Sequence, residues 1–180
     1  MKKIDMTNVQ EAGEFTRPEP GPYHCVIKSV EDVAEKEYLK IGYDIAEGEY
    51  KEYYTNLRKE HPDWTWAGVY VKSYKPTALP MFKRFCSAVS KSNGKYIFDG
   101  GAVNADEKSL IGKHIGIVLR EEEYYSNSGD KRTRLIVHSE CPIDKLGDQK
   151  IPKLKALKET PSNDFVNEGF GSVGEDEVPW

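Results

Sequence analysis

Apolar and polar side chains alternate between residues 38 and 45, and this alternation limits which secondary structure the segment can form. Every second residue there is apolar, and these residues are Leu39, Ile41, Tyr43 and Ile45. Successive side chains of a β-strand point to opposite faces, so a period of two indicates a strand with one buried face. This segment therefore predicts a half-buried strand within a sheet that covers it on one side.

Two neighbouring segments are predicted to pair with this strand. Residues 23–30 also alternate, with Tyr23, Cys25 and Ile27 on one face. After a turn at Glu47-Gly48-Glu49, residues 50–57 are predicted to be the returning strand of a hairpin. The first third of the chain is therefore expected to form a three-stranded antiparallel meander.

The second half of the chain predicts a long β-hairpin. Residues 114–125 and 131–141 flank Ser-Asn-Ser-Gly-Asp, which is rich in turn-forming residues. Leu135 and Val137 are expected to face inward, and Arg134, Ile136 and His138 outward. Residues 58–76 are less regular and are expected to be a loop followed by a short extended piece.

A single amphipathic helix is predicted at residues 78–91. Apolar residues recur at the spacing i, i+3, i+4, i+7, which gives one stripe facing a core, and they are Phe82, Phe85, Cys86 and Val89. Thr77 is positioned to cap the helix, Pro80 is tolerated in the first turn, and Asn93-Gly94 is a typical end.

The order of three strands, one helix and two strands is that of an OB-fold, a small and partly open five-stranded antiparallel barrel. Other five-stranded barrels and sandwiches share this pattern. The predicted class is therefore mainly β with one helix. Residues 1–20 are expected to be an N-terminal arm, residues 21–146 the domain, and residues 147–180 a flexible linker with an acidic tail.

Composition, the N-terminal residues and the cysteines together predict a cytoplasmic protein. Of 180 residues, 38% are hydrophobic and 31% are charged, and no apolar run is long enough to span a bilayer. The lysines at the N-terminus precede no apolar core, so no signal peptide is expected. Three widely spaced cysteines, Cys25, Cys86 and Cys141, predict reduced thiols.

The sequence offers little for catalysis, and we expect no enzyme and no cofactor. The four histidines are dispersed, and no Cys or acid accompanies them at a metal-ligand spacing. The consecutive acids Glu121-Glu122-Glu123 would alternate between the faces of a strand and could not form one catalytic pair. The enzymatic alternative is a metal nuclease assembled from acids that are distant in the sequence.

Aromatic residues beside bases predict a surface for single-stranded nucleic acid. Such surfaces stack bases on aromatic rings while Lys and Arg follow the phosphates, with little sequence preference. The candidate residues are Trp64, Trp66, Tyr70, Lys72, Tyr74, Lys75, Tyr125, Arg132 and Arg134. Aromatic residues are also common in strands and as anchors of loops, so each one has an alternative structural explanation.

The C-terminal tail predicts a second kind of contact. Residues 164–180 hold five acids and no bases, whereas the rest of the chain carries 26 bases and 25 acids. The tail is expected to be disordered until a partner binds its tip, which consists of Glu175, Asp176, Glu177, Val178, Pro179 and Trp180. It is also expected to compete weakly with DNA for basic groups. A tail that is merely solvated is the simpler alternative.

The tip resembles the acidic C-terminus of bacterial and phage single-stranded DNA-binding proteins, with Trp180 where Phe is usual. Residues 1–145 resemble small phage proteins of Gram-positive hosts that are encoded among replication and recombination genes. The matching stretches are residues 21–23, 34–39, 48–50, 64–66, 82–85 and 110–113. This resemblance implies a protein that binds single-stranded DNA in the host cytoplasm, supports replication or recombination, and recruits partner proteins through its tip. The alternative is a protein–protein adaptor that does not bind DNA.

Overall fold

The computed structural model describes residues 17–100 and 106–157. Its strands and helices are β1 (Gly21–Val33), β2 (Tyr38–Ile45), α1 (Tyr53–Glu60), β3 (Val69–Ser73), α2 (Leu79–Ser92), β4 (His114–Tyr125) and β5 (Lys131–Cys141). Short 3₁₀ turns lie at Ala34–Lys36, Pro76–Ala78, Glu107–Leu110 and Ile143–Asp148. None of the helices in these ranges is both long and apolar enough to span a membrane.

All five strands form one antiparallel sheet in the order β3-β2-β1-β4-β5. The long strand β1 is central: residues 25–33 pair with β2, and residues 21–26 pair with β4. β3 and β5 are the two edges, and within the described residues no ladder of backbone hydrogen bonds joins them. The expected class, mainly β with five antiparallel strands, is confirmed at this level.

The core lies between the inner face of the sheet and helix α2. The alternating residues of 38–45 are all buried, as expected, and the apolar stripe of α2 is buried against β3, β4 and β5. Leu135 and Val137 pack against this core, whereas Arg134 and His138 are exposed. All three cysteines are buried free thiols, which agrees with the expectation of reduced cysteines.

The predicted strand at residues 50–57 is wrong, because Tyr53–Glu60 is the helix α1. The buried carboxylate of Asp44, at the end of β2, accepts hydrogen bonds from the backbone N–H groups of Tyr54 and Thr55, each at 3.0 Å. The first N–H groups of a helix have no partner within it, so an acceptor at this point stabilises a helical turn. The third strand is instead β3, which contains the short extended piece expected near residues 70–75.

Helix α2 confirms the helix predicted at residues 78–91, shifted by one residue at each end. Thr77 does not cap it, since it lies inside the preceding 3₁₀ turn and no side-chain cap is formed. The helix ends at Asn93, and Gly94 follows with φ of 64°, as the Asn-Gly pair predicted.

Candidate nucleic-acid interface

Strands β4 and β5 extend beyond the sheet as a two-stranded ribbon. β1 pairs with β4 only as far as Leu119, but β4 and β5 remain paired to Tyr125 and Lys131. We call residues 120–136 the β4–β5 ribbon. Its side chains are less covered than those of the sheet, so cations and rings on it can reach a ligand.

One face of the ribbon carries an arginine held between an acid and a ring. Arg134 lies opposite Glu122, and its Nε and Nη2 donate to Glu122 Oε2 at 3.0 and 2.9 Å. The Arg134 guanidinium carbon is also 5.1 Å from the centre of the Tyr124 ring, at cation–π distance. These contacts orient the guanidinium, and 42% of the Arg134 side chain remains exposed.

The tip of the ribbon adds exposed aromatic and basic groups. Tyr125 is 64% exposed. Lys131 Nζ lies 2.9 Å from Glu123, and Arg132 Nη2 lies 3.5 Å from Asp130, and both cations remain largely exposed. Exposed pairs of this kind contribute about 0–1 kcal/mol, so a phosphate can replace the carboxylate at low energetic cost.

Residues that follow the domain bind along the free edge of the ribbon. The backbone N–H of Lys155 donates to Glu121 O, and the N–H of Glu123 donates to Lys155 O, each at 2.9 Å. Lys155 Nζ also pairs with Glu122. This ion pair is the largest cause, and the contact with Arg134 a further cause, of a Glu122 pKa below its ordinary value. The segment expected to be a flexible linker from residue 147 is therefore bonded to the domain as far as Leu157.

A second group of candidates lies around β2 and the β1–β2 turn. The half-buried Trp66 donates its indole N–H to Tyr43 O at 3.1 Å. A Cβ atom on Gly42 would meet Ser29 Oγ and lie 3.6 Å from Trp66 Cδ1, so this ring covers the outer side of β2. Trp64, in the preceding loop, is 47% exposed and stacks on His61 with centroids 3.9 Å apart.

Tyr74 and Lys75 lie beside the β1–β2 turn. The Tyr74 hydroxyl donates to Asp32 Oδ1 at 2.7 Å, and its ring meets Phe82 edge-on. The hydrogen bond to Asp32, followed by desolvation, raises the pKa of Tyr74 to about 12. Lys75 is exposed. Trp66 thus lies on the outer side of β2, whereas Tyr74 contacts α2 on the inner side of the sheet. On the ribbon, Arg132 and Arg134 share a face with Tyr124, and Tyr125 lies on the other face with Lys131.

Tyr70 and Lys72 were expected outside the inward-facing alternation, and the structure places both on the inner face of β3. Lys72 Nζ is 2.7 and 2.8 Å from the carboxylate oxygens of the buried Glu140 on β5. Tyr70 packs edge-on against Tyr43, and burial raises its pKa well above the ordinary value. In this arrangement Lys72 serves the domain rather than a phosphate. Its hydrogen-bonded partner on β5 was not visible in the sequence.

Tyr124 and Lys131 adjoin the candidates Tyr125 and Arg132 in the sequence, where rings and bases face each other across the turn, and the strand register places them on this surface. Sequence reasoning missed Lys155, whose contact joins segments more than 30 residues apart and has no local signal. The tip residues 175–180 lie outside the described part of the chain.

Within the described ranges, no three His, Cys, Asp or Glu side chains converge in a way that could hold a metal ion. Compared with models of known protein families and with curated protein sequences, the chain matches none of them.

Proposed function

We propose that this protein binds single-stranded DNA without sequence preference, on a surface that includes the β4–β5 ribbon. The observation that carries the proposal is that one protruding element presents rings and cations on both of its faces, with Tyr124 beside Arg132 and Arg134 on one face and the exposed Tyr125 beside Lys131 on the other. Rings that stack on bases and cations that meet phosphates are the two components of a non-specific single-strand site.

The strand order supports an OB-fold as the framework of this surface. An OB barrel binds oligonucleotides on the face of its second and third strands, between its β1–β2 and β4–β5 loops. In this chain Trp66 covers β2, Tyr74 lies at the β1–β2 turn, and the ribbon is the β4–β5 connection. The Lys72–Glu140 ion pair brings β3 and β5 together where a barrel would close. The position of Trp66 on β2 and of the ribbon in the β4–β5 connection supports such a binding face.

Binding would exchange weak contacts within the protein for contacts with DNA. A phosphate would replace Asp130 on Arg132, and bases would stack on Tyr125 and Trp66. The ion pairs on the ribbon keep the cations extended without burying them. The phage-type role in replication or recombination, and recruitment of proteins through residues 175–180, complete the proposal and depend on the resemblance described above.

Fluorescence polarisation with a labelled oligo-dT tests the proposal. We expect binding that weakens steeply with salt, and Arg132→Ala should reduce the slope of log K against log salt by about 0.7, the value for one phosphate contact on a single strand. Tyr125→Ala should weaken binding by about 1–3 kcal/mol. Arg58→Ala, an exposed base on α1, is the matched control and should change neither quantity. No binding at low salt would exclude the proposal.

A protein–protein adaptor is the second candidate. It is favoured by a shallow cleft of about 330 Å³ between α2 and the end of β5, whose lining includes the bases Arg84, Lys91 and Lys145 and the acids Glu140 and Asp148. A cleft that presents charges of both signs suits polar side chains of a protein partner. Pull-down with a partner whose binding is unaffected by oligo-dT, together with no polarisation change, would favour the adaptor.

A further inference from the structure

Two histidines from different strands meet on the outer face of the sheet. His24 of β1 and His114 of β4 are diagonal neighbours in the ladder, where His24 lies opposite Gly116 and Val26 opposite His114. His24 Nε2 is 2.9 Å from His114 Nδ1, and the ring centroids are 4.9 Å apart. The His24 side chain is 18% exposed, so ions can reach the pair from solvent.

Glu47 holds the His24 ring, and Asn93 holds the backbone of His114. His24 Nδ1 lies 2.9 Å from Glu47 Oε1, so this nitrogen carries a proton and donates it. The side chain of Asn93 accepts from the backbone N–H of His114 at 2.9 Å and donates to the His114 carbonyl at 2.7 Å. The nitrogens that face each other are therefore His24 Nε2, with a free lone pair, and His114 Nδ1, which donates to it.

We propose that this pair binds one divalent transition-metal ion of the Zn²⁺ type. His24 Nε2 and His114 Nδ1 are the two protein ligands, water completes the coordination, and Glu47 orients His24 through its other nitrogen. Imidazole nitrogen suits Zn²⁺, Cu²⁺ and Ni²⁺. A carboxylate on the distal nitrogen of a ligating histidine is the recurring arrangement that fixes its tautomer.

Binding requires both rings to turn. Two nitrogens that share a tetrahedral Zn²⁺ at 2.0–2.1 Å lie roughly 3.3–3.4 Å apart, a little more than the distance between the facing nitrogens. The lone pairs must also converge on the ion instead of pointing at each other, so each ring turns by roughly 35° toward solvent to reach the tetrahedral angle. The proton between the rings moves to His114 Nε2, so both imidazoles stay neutral and no net proton is released.

No other described cysteine or histidine completes this site. The adjacent Cys25 points to the opposite, buried face of β1, and burial raises the pKa of its thiol. With two protein ligands and water, the ion would be exchangeable, and it would join β1 to β4 at the centre of the sheet. The site is independent of DNA binding.

Isothermal titration of the full chain with ZnCl₂ near neutral pH tests the proposal. We expect one bound ion per chain, loss of that binding in His24→Gln and in His114→Gln, and binding about 10–100-fold weaker in Glu47→Gln. His138→Gln is the matched control, since His138 is exposed on β5, and it should bind as the unaltered chain does.

Nitrogen NMR of the histidine rings in the unaltered chain shows which nitrogens bind the ion, and this measurement does not depend on the folding of any variant. Zn²⁺ should shift the resonances of His24 Nε2 and His114 Nδ1 and leave those of His61 and His138 in place. The absence of stoichiometric binding, unchanged binding in both histidine variants, or shifts confined to His61 or His138 would overturn the proposal.

Discussion

Replacing Asp44 by alanine should destabilise the whole domain, because this carboxylate joins β2 to helix α1. It is fully buried and accepts three backbone N–H groups, from Ile45, Tyr54 and Thr55, and the Thr55 hydroxyl. A hydrogen bond to a charged group contributes about 1.5–3 kcal/mol. The two bonds from backbone N–H groups in the first turn of α1 therefore give an expected loss of about 3–6 kcal/mol in the free energy of unfolding.

Urea denaturation followed by circular dichroism measures this loss. In a thermal melt of a chain of this length, the melting temperature should fall by roughly 6–24 °C, at about 2–4 °C per kcal/mol. The matched control is Asp63→Ala, an exposed acid in the loop before β3, which should change the free energy of unfolding by less than about 0.5 kcal/mol. A loss of under about 1 kcal/mol for Asp44→Ala would refute the view that this carboxylate determines the helix.

Three further outcomes follow from other contacts. Lys72→Met should lower the free energy of unfolding by about 3–5 kcal/mol because it leaves the buried Glu140 unpaired, and the double variant with Glu140→Leu should recover most of that loss in the same urea assay. Tyr74, whose hydroxyl donates to Asp32, should ionise in an ultraviolet pH titration near pH 12. Because its pKa is raised by folding, its contribution to stability should be present below pH 10 and decline as the pH rises toward 12; Tyr74→Phe should remove that decline. Glu122→Gln should lower the protection factors against amide hydrogen exchange at residues 153–157, and acidification should do the same in the unaltered chain, since the folded pKa of Glu122 is lowered and its contribution is lost as the pH falls below about 4.5. Unchanged protection factors in both cases would contradict the role assigned to this acid.

Local periodicity was sufficient to predict most strands of the sheet and helix α2. Alternation located four of the five strands, and the apolar stripe located α2 within one residue. It failed at residues 50–57, where the tyrosines suit a strand by propensity, because the group that selects a helix is Asp44, about ten residues away. Tertiary contacts commonly override local preference in this way.

The candidate surface was harder to predict because exposure depends on the register between strands. The pattern Tyr70-Val71-Lys72 reads equally well with either set of residues outward, and the structure directs Val71 to solvent and Lys72 to Glu140. A shift of one residue exchanges the two faces of a strand. The ribbon was better specified, since its turn at residues 126–130 fixes which residues of β4 and β5 face each other.

Photo-cross-linking to an oligonucleotide that contains iododeoxyuridine tests whether single-stranded DNA binds at the β4–β5 ribbon. We expect mass spectrometry to find the cross-linked bases on the ribbon, at Tyr124 or Tyr125, and on Trp66 or Trp64. Tyr125→Ala should reduce the ribbon signal. Cross-links that fall only on α2 or on the cleft beside Arg84, with the ribbon unmodified, would contradict it.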